Sequence, residues 1–344
     1  MTGSDTMRAL VYDGPHQMHV ERRPRPHPGP GEACLRMAYV GICGSDLHGY
    51  TGESGRRSPG MIMGHEASGW VEEVGQGVHG LALGQPVTFN PALPCAGGCG
   101  HVAENRCTDL RVVGVTPDIQ GAFADYIVVN ASRVVPLAGL DLLSASMVEP
   151  LAVAVQAVQR CQVAGGDGVL VIGGGMIGQC VARAARAAGA SRVIVSESVA
   201  ERLELAAEAG FEVVAPADVG ELIPLDVAVD AVGISPTASA AIRAVRKGGT
   251  IGFVGLGLPE VSIPLFEVVV PERSIVGSFC YTDAVFTETV RTMASGEVDL
   301  SPLLGGTVSL EEAHDAFEDL ATGKRRDVKI VVAVGGDSSG GANG

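Results

Sequence analysis

Two short motifs in the first third of the chain contain the residue types that bind metal ions. GICGSDLHGY contributes Cys43 and His48, GHEASGWVEEVG contributes His65 and Glu66, and Glu149 follows in MVEPLAV. Thiolate, imidazole and carboxylate groups are zinc ligands, and three protein ligands with an open fourth position are typical of catalytic zinc. Singly, each would be an ordinary core thiol or polar side chain. Together, and flanked by glycines, they predict a catalytic metal site.

The stretch from Gly168 to Glu197 predicts a strand–helix–strand unit that binds a dinucleotide. An apolar run ends in a glycine turn, a helix follows, and a second apolar run ends at Glu197. In this G-x-G-x-x-G pattern Gly173 permits a tight bend, Gly175 lets the backbone approach a pyrophosphate, and Gly178 lets the helix pack close to the strand.

The start of this helix is predicted to hold the phosphates of the cofactor. The free N–H groups at Met176 and Ile177 would face them. Glu197 can accept hydrogen bonds from a ribose and would repel a 2′-phosphate, which favours NAD over NADP. Arg202 could stack on adenine or be a solvated helix charge. Two glycines that end later strands are expected on the same side, Gly233 and Gly255.

Composition narrows the class of protein. A chain of 344 residues suggests two domains, and a net charge of -15 argues against nucleic acid or an anionic membrane as partner. No apolar stretch is long enough to span a bilayer, and the first residues do not resemble a signal peptide. We therefore expect a cytoplasmic protein whose eight Cys are thiols or metal ligands.

The pattern of apolar residues changes along the chain. Residues 7–150 read as short strands between Pro- and Gly-rich turns, an irregular β-barrel pattern. Residues 151–281 alternate strands and helices, which predicts a doubly wound parallel sheet and an α/β fold. Residues 282–334 return to helices and one last strand, and residues 335–344 are predicted to be a flexible tail.

Taken together, these motifs resemble a known family. GICGSDLH, GHEASGWVEEVG, VEPLAVA, GGGMIG and the terminal KIVV occur in the order found in zinc-dependent medium-chain alcohol dehydrogenases, nearest the sorbitol, butanediol and threonine dehydrogenase branch. The resemblance implies a GroES-like catalytic domain interrupted by a Rossmann domain. It also implies hydride transfer between NAD and a secondary alcohol or polyol (diol, sugar alcohol, cyclitol or amino alcohol), and a homodimer or homotetramer.

The resemblance also assigns roles to residues. Cys43, His65 and Glu66 would bind one catalytic zinc, and Glu149 would be a direct ligand or hold zinc-bound water. Asp46 would orient His65. Ser45 would take the alcohol proton and pass it through a cofactor ribose hydroxyl to His48. Lys329, in KIVV, would reach the pyrophosphate or be an ordinary surface lysine.

Charge suggests a hypothesis about the two carboxylates. Zinc with one thiolate, one neutral imidazole and one carboxylate is formally neutral, and a second carboxylate would oppose formation of an alkoxide. We therefore expect only one of Glu66 and Glu149 to bind the metal directly at a time.

The chain departs from the family at PCAGGCGHVAENRC. Most relatives hold a second zinc there with four Cys, whereas this chain has Cys95, Cys99 and Cys107, with His101 as a cramped substitute. A closed structural site needs four ligands, so we expect a lobe without metal.

Two alternatives for the function of the whole chain are a zinc-free quinone or enone reductase and a non-catalytic nucleotide-binding protein.

Overall fold

A computed structural model describes residues 5–95, 97, 99–100 and 103–335. Of the predicted tail only residue 335 falls in this part of the chain, and His101 also lies outside the described residues. The chain folds into two units. The first comprises the described residues of Met1–Glu149, Thr282–Gly296 and Leu300–Gly344, and the second comprises Pro150–Tyr281 and Glu297–Asp299.

The strands, in chain order, are β1 (Thr6–Gly14), β2 (Gln17–Pro24), β3 (Glu32–Gly41), β4 (Met61–Ile62), β5 (Glu66–Val74), β6 (Pro86–Phe89), β7 (Ala92–Leu93), β8 (Arg111–Val112), β9 (Tyr126–Asn130), β10 (Val134–Pro136), β11 (Gly168–Ile172), β12 (Arg192–Ser196), β13 (Glu212–Val214), β14 (Leu225–Asp230), β15 (Val245–Phe253), β16 (Ser274–Gly277), β17 (Leu304–Ser309) and β18 (Lys329–Ala333). The α-helices are α1 (Gly44–Tyr50), α2 (Leu142–Ala145), α3 (Val148–Arg160), α4 (Met176–Ala187), α5 (Ala200–Glu208), α6 (Ser235–Ala244), α7 (Phe266–Val269), α8 (Asp283–Ala294) and α9 (Ala313–Ala321).

The first unit is built on strands, as its short apolar runs predict. Its largest sheet follows the order β10-β6-β5-β3-β18-β17, with β9 also paired to β3, and a smaller sheet has the order β2-β1-β4. Strand β3 is buried along most of its length because other strands pair with it and the core packs on it. Strand β18, the last one in the part of the chain that the structure describes, pairs antiparallel with β3, so segments from both ends of the first unit share one sheet.

The second unit is a parallel sheet in the order β13-β12-β11-β14-β15-β16. This is the doubly wound order in which the first strand lies at the centre, and it confirms the predicted α/β fold. All five residues of β11 are buried, as expected of a strand covered by helices on both faces. Helix α6 stops at Ala244, because Val245 already pairs with Leu225 as the start of β15.

The glycine turn after β11 has the geometry that the sequence motif requires. Gly173 has a φ of 98°, a left-handed conformation that favours glycine. At Gly178 a Cβ atom would lie 1.7 Å from the carbonyl oxygen of Gly173. The helix start can therefore approach the turn only because Gly178 has no side chain. No helix in the described part of the chain is long and apolar enough to cross a membrane.

We expect Gly178→Ala to destabilise the protein by about 1–3 kcal/mol or more, because the new methyl group would overlap backbone. A Gly→Ala change at an unstrained site would instead stabilise by about 0.4–1 kcal/mol. Gly220→Ala is the matched control, since a Cβ there meets no atom within 4 Å. Urea unfolding of both variants checks the prediction, which a Gly178→Ala protein as stable as the control would contradict.

Candidate active site

Three metal-binding side chains converge in the first unit. The ligand atoms of Cys43, His65 and Glu66 all lie within 4.8 Å of one another. Cys43 caps the N-terminus of α1, and Glu66 begins β5 directly after His65. His65 and Glu66 are almost completely buried, at 5% and 1% exposure. Buried, convergent thiol, imidazole and carboxylate groups are the donor set of a zinc site, so these residues fit the ion that the sequence predicts.

Asp46 lies where it can orient the imidazole of His65. Its side chain is fully buried, and Oδ1 lies 3.6 Å from Nδ1 of His65. Oδ2 accepts a hydrogen bond of 3.2 Å from the backbone N–H of Cys43. A carboxylate facing Nδ1 favours the tautomer with a proton on that nitrogen, which leaves Nε2 for a metal ion. One carboxylate thus contacts the segments that carry two of the three donors.

Negative charge around His65 makes the site attractive to a cation. Burial lowers the pKa of His65, but the charges of Asp46, Cys43 and Glu149 outweigh burial and raise it to about 10. A proton on the imidazole is one way to meet this demand for positive charge, and a metal ion is another. Because a metal ion requires the neutral imidazole, metal and proton compete for this site.

Lys329 lies beside the metal-binding side chains. Its side chain is 1% exposed, and its ammonium group pairs with Oε2 of Glu66 and donates a 3.0 Å hydrogen bond to the carbonyl oxygen of Ile42. Burial lowers the pKa of Lys329, but the charges of Glu66, Cys43 and Glu149 outweigh it and raise the pKa. The expected contact with a pyrophosphate stays a prediction, and this buried ion pair does not support it, because the ammonium would have to leave Glu66.

The space for this ion pair comes from a glycine. Gly41 pairs with Glu66 of β5 on one side and with Val331 of β18 on the other. A Cβ on Gly41 would lie 2.4 Å from Oε2 of Glu66 and 3.4 Å from Nζ of Lys329. Sequence reasoning missed the pair because its partners are 263 residues apart and no local motif connects them.

The two residues of the expected proton relay lie on α1. Ser45 and His48 are three positions apart and therefore share a helix face. Ser45 is partly buried and His48 is exposed, which suits a path from an inner site to solvent. Nδ1 of His48 lies 2.7 Å from Oε2 of Glu53, so this carboxylate favours a proton on Nδ1 and leaves Nε2 as the proton acceptor.

In the second unit Glu197 is fixed at the end of β12. Oε2 accepts a 2.7 Å hydrogen bond from the N–H of Gly174, and Oε1 accepts from the N–H groups of Ser198 and Val199. Burial raises the pKa of Glu197, but these donors outweigh it and lower the pKa. Glu197 is therefore a carboxylate held at the glycine turn. Arg202 lies close by, with Nη1 3.9 Å from where a Cβ on Gly175 would be.

Met176 and Ile177 begin α4, and its N-cap, Gly175, supplies no side chain to satisfy their N–H groups. This is the geometry expected of a phosphate-binding helix start. Gly233 and Gly255 have a packing reason to be glycine, since a Cβ on Gly233 would lie 2.4 Å from the oxygen of Gly255. Their contact with a cofactor stays a prediction.

Comparisons with known proteins agree with this geometry. Residues 29–139 match the alcohol dehydrogenase GroES-like domain, and residues 176–295 match the zinc-binding dehydrogenase family. D-xylulose reductase A of Aspergillus niger is 32% identical over 94% of this chain and 96% of its own length. The chain belongs to the zinc-binding alcohol dehydrogenase family.

Solved structures of the zinc-binding dehydrogenases share the fold. The 2R,3R-butanediol dehydrogenase of Bacillus subtilis superposes with a TM-score of 0.86 at 28% identity, covering 95% of this chain and 99% of that one. A protein from Sinorhizobium meliloti described as a zinc-binding dehydrogenase and bound to NADP has a TM-score of 0.87 at 30% identity, covering 96% and 99%. Family membership makes this chain an oxidoreductase, and it disfavours the metal-free reductase and the non-catalytic nucleotide binder.

Lys329 changes the charge count for this dehydrogenase site. With zinc, Cys43, Glu66 and the neutral His65, the ammonium brings the formal charge to +1, so a second carboxylate would make the site neutral and not negative. The charge reason for excluding joint binding by Glu66 and Glu149 is therefore weakened. Glu149 is not part of the converging group of three, although its charge acts on His65.

The position of the family's second zinc contains three thiols. Sγ of Cys99 lies 3.9 Å from that of Cys95 and 3.4 Å from that of Cys107. The three sulfur atoms are close enough to share an ion, but a closed zinc site takes four ligands. The expected absence of metal from this lobe stays a prediction.

We expect the zinc affinity of metal-stripped protein to rise with pH by at least about tenfold per unit between about pH 7 and pH 9, because any proton on a ligand, including that on His65, must be lost when the metal binds. Chelator competition at several pH values measures the affinity. An affinity independent of pH over this range would contradict the prediction.

The raised pKa of about 10 also affects the stability of the metal-free protein. The protonated imidazole stabilises the fold below about pH 6.5, and this contribution is lost as pH rises through 10.

Proposed function

We propose that this protein transfers hydride between a secondary alcohol or polyol and NAD, with one catalytic zinc per subunit held by Cys43, His65 and Glu66. The convergence of these three donors, in the chain order that the family motifs predict, carries the proposal. Zinc bound there supplies Lewis acidity toward the alcohol oxygen, and bound NAD supplies the hydride acceptor.

The residues of α1 move the proton. Ser45 accepts the alcohol proton at its hydroxyl oxygen as that hydroxyl gives up its own proton, which passes toward His48 and from the His48 ring to solvent. This assignment is supported by their spacing on one face of α1 and by the exposure of His48. Glu53 keeps the His48 ring in the tautomer whose free nitrogen can accept the proton.

Glu149 is the second carboxylate of the site. We propose that it exchanges with Glu66, so that only one of them binds the ion at a time. Support comes from competition for Glu66 and not from the charge count. Lys329 already holds Oε2 of Glu66, so Glu66 can leave the ion when Glu149, whose charge acts on His65, binds it.

Cofactor choice follows from the carboxylate at the end of β12. Glu197 stays ionised because backbone N–H groups donate to it, and a 2′-phosphate placed there would be repelled. This supports NAD for the present chain, although the Sinorhizobium meliloti relative is bound to NADP. Gly173, Gly175 and Gly178 shape the turn, and Arg202 lies beside it to contact the adenosine half.

The names of the relatives suggest a substrate class. D-xylulose reductase and 2R,3R-butanediol dehydrogenase both act on a carbon whose neighbour also carries oxygen. We infer a vicinal diol or sugar alcohol as substrate. A cytoplasmic location is supported by the cysteines, which are present as thiols and not as disulfides, as a reducing compartment would keep them.

A homo-oligomer is supported by an apolar surface on the second unit. Strand β16 lies at the end of its sheet, and Ile275 on this strand is 39% exposed. Phe266 and Val270 nearby in sequence are 84% and 73% exposed. An exposed apolar edge strand pairs readily with another strand, and a second copy of β16 offers the same surface. We propose that two copies of this chain meet there.

The function is tested by NAD reduction with a panel of vicinal diols, sugar alcohols and secondary alcohols. We expect activity that chelator abolishes and added zinc restores, with about one zinc per subunit and a preference for NAD over NADP. Ser45→Ala should lower kcat by about a hundredfold or more with zinc retained, whereas the exposed Ser58→Ala should not. Chelator-resistant activity, or unchanged turnover in Ser45→Ala, would refute the corresponding assignment.

The oligomer is tested by sedimentation. Ile275→Lys should shift the protein toward monomer, because a lysine on an edge strand opposes pairing. Leu83→Lys is the control, since Leu83 is 68% exposed but lies on the first unit. A monomeric wild type, or an Ile275→Lys protein that sediments as the wild type does, would argue against this interface.

A further inference from the structure

Arg57 is a buried cation outside every motif used so far. It lies between α1 and β4, in a segment rich in glycine, serine and arginine. Its neighbour Arg56 is exposed, as the composition of the segment suggests. The side chain of Arg57, however, is only 1% exposed. A guanidinium group withdrawn from water to this degree needs partners that compensate for its lost hydration.

The partners of Arg57 belong to the candidate active site and its supports. Nη2 lies 3.5 Å from Oδ1 of Asp46 and donates to the carbonyl oxygen of Ser45 at 3.2 Å. Nη1 donates to the carbonyl oxygen of Val115 at 2.9 Å, and Nε contacts Sδ of Met63 at 3.2 Å. The side chain of Arg57 thus connects Ser45 on α1, Met63 two residues before His65, and Val115 in a loop distant in sequence.

A glycine in α1 leaves space for the side chain of Arg57. Gly49 is buried in α1, and a Cβ there would lie 2.7 Å from Cγ and 2.8 Å from Nε of Arg57. Glycine is unfavourable within a helix, so its presence is explained by the arginine that crosses it. The arrangement is a specific fit and not a surface charge folded inward.

The negative charge of Asp46 needs a nearby cation, and Arg57 is placed to supply it. Asp46 is completely buried, and its Oδ1 lies between Arg57 at 3.5 Å and His65 at 3.6 Å. When His65 binds a metal ion it is neutral, so it cannot balance the carboxylate. Among the residues that the structure describes, Arg57 is then the cation within 4 Å of Asp46. A buried carboxylate is stable as an anion only when such a charge is close.

We propose that Arg57 is a positioning residue of the metal centre: it fixes and neutralises Asp46, so that the carboxylate can hold His65 in the orientation that binds zinc. The same guanidinium donates a hydrogen bond to the carbonyl oxygen of Ser45. It thereby fixes Ser45, the proposed proton acceptor, relative to His65. This role rests on the proposed zinc site and assigns no chemical step to Arg57.

The test measures zinc affinity by chelator competition on the full-length protein. Loss of a partner behind a metal ligand lowers metal affinity by about 10- to 100-fold, so Arg57→Met should fall in this range. Arg57→Lys, which keeps the charge, should recover at least about threefold of that loss. Arg56→Met is the matched control and should bind zinc as the wild type does. Arg57→Met with wild-type affinity, or Arg57→Lys as weak as Arg57→Met, would overturn the proposal.

A second comparison separates positioning from a general effect on folding. In an Asp46→Asn background there is no carboxylate to neutralise, so adding Arg57→Met should change zinc affinity by less than about threefold. If the two losses multiply in full, Arg57 does not act through Asp46 and the proposal is wrong. The double variant buries no unpaired charge, so it serves where Arg57→Met alone does not fold. A wild type that binds no zinc would instead overturn the proposed function.

Discussion

Buried negative charge is the constraint on which the catalytic unit depends. Asp46 and Glu66 are both almost inaccessible to water, and they lie beside the thiol of Cys43. Such a group of anions is unstable in a protein interior unless cations accompany it. The structure supplies two of them, Arg57 for Asp46 and Lys329 for Glu66. The negative charge that these two cations do not balance is concentrated between Cys43, His65 and Glu66. The same arrangement therefore favours binding of a divalent cation there.

The pairing of Glu66 with Lys329 depends on the sheet. Strand β3 pairs with β5 on one side and with β18 on the other, which brings Glu66 and Lys329 together across Gly41. Because Gly41 has no side chain, there is room for Lys329, and the lack of a side chain at Gly49 makes room for Arg57 in the same way. Strand register thus brings Glu66 to Lys329, whereas α1 and the segment after it bring Asp46 to Arg57.

The nucleotide-binding unit follows a different logic, because its determinants are local. The turn from Gly173 to Gly178, the helix after it and the carboxylate of Glu197 lie within one strand–helix–strand unit. Steric limits on backbone bending and on helix approach act between residues close in sequence, so the glycine spacing was enough to predict the turn. The alternation of strands and helices predicted for residues 151–281 is present in this unit, and strand pairing fixes element ends such as that of α6, after which Val245 pairs with Leu225.

The sequence alone therefore determined the α/β fold, the glycine turn and the set of residue types able to bind zinc, because periodicity and short motifs encode them. It did not determine which cations balance the buried carboxylates. The family resemblance implies either a pyrophosphate contact or a surface position for Lys329 and assigns nothing to Arg57, since neither residue belongs to a motif that reveals its partner. Only the tertiary structure decided these contacts, because desolvation and ion pairing depend on which residues distant in the chain are brought into the same dry space.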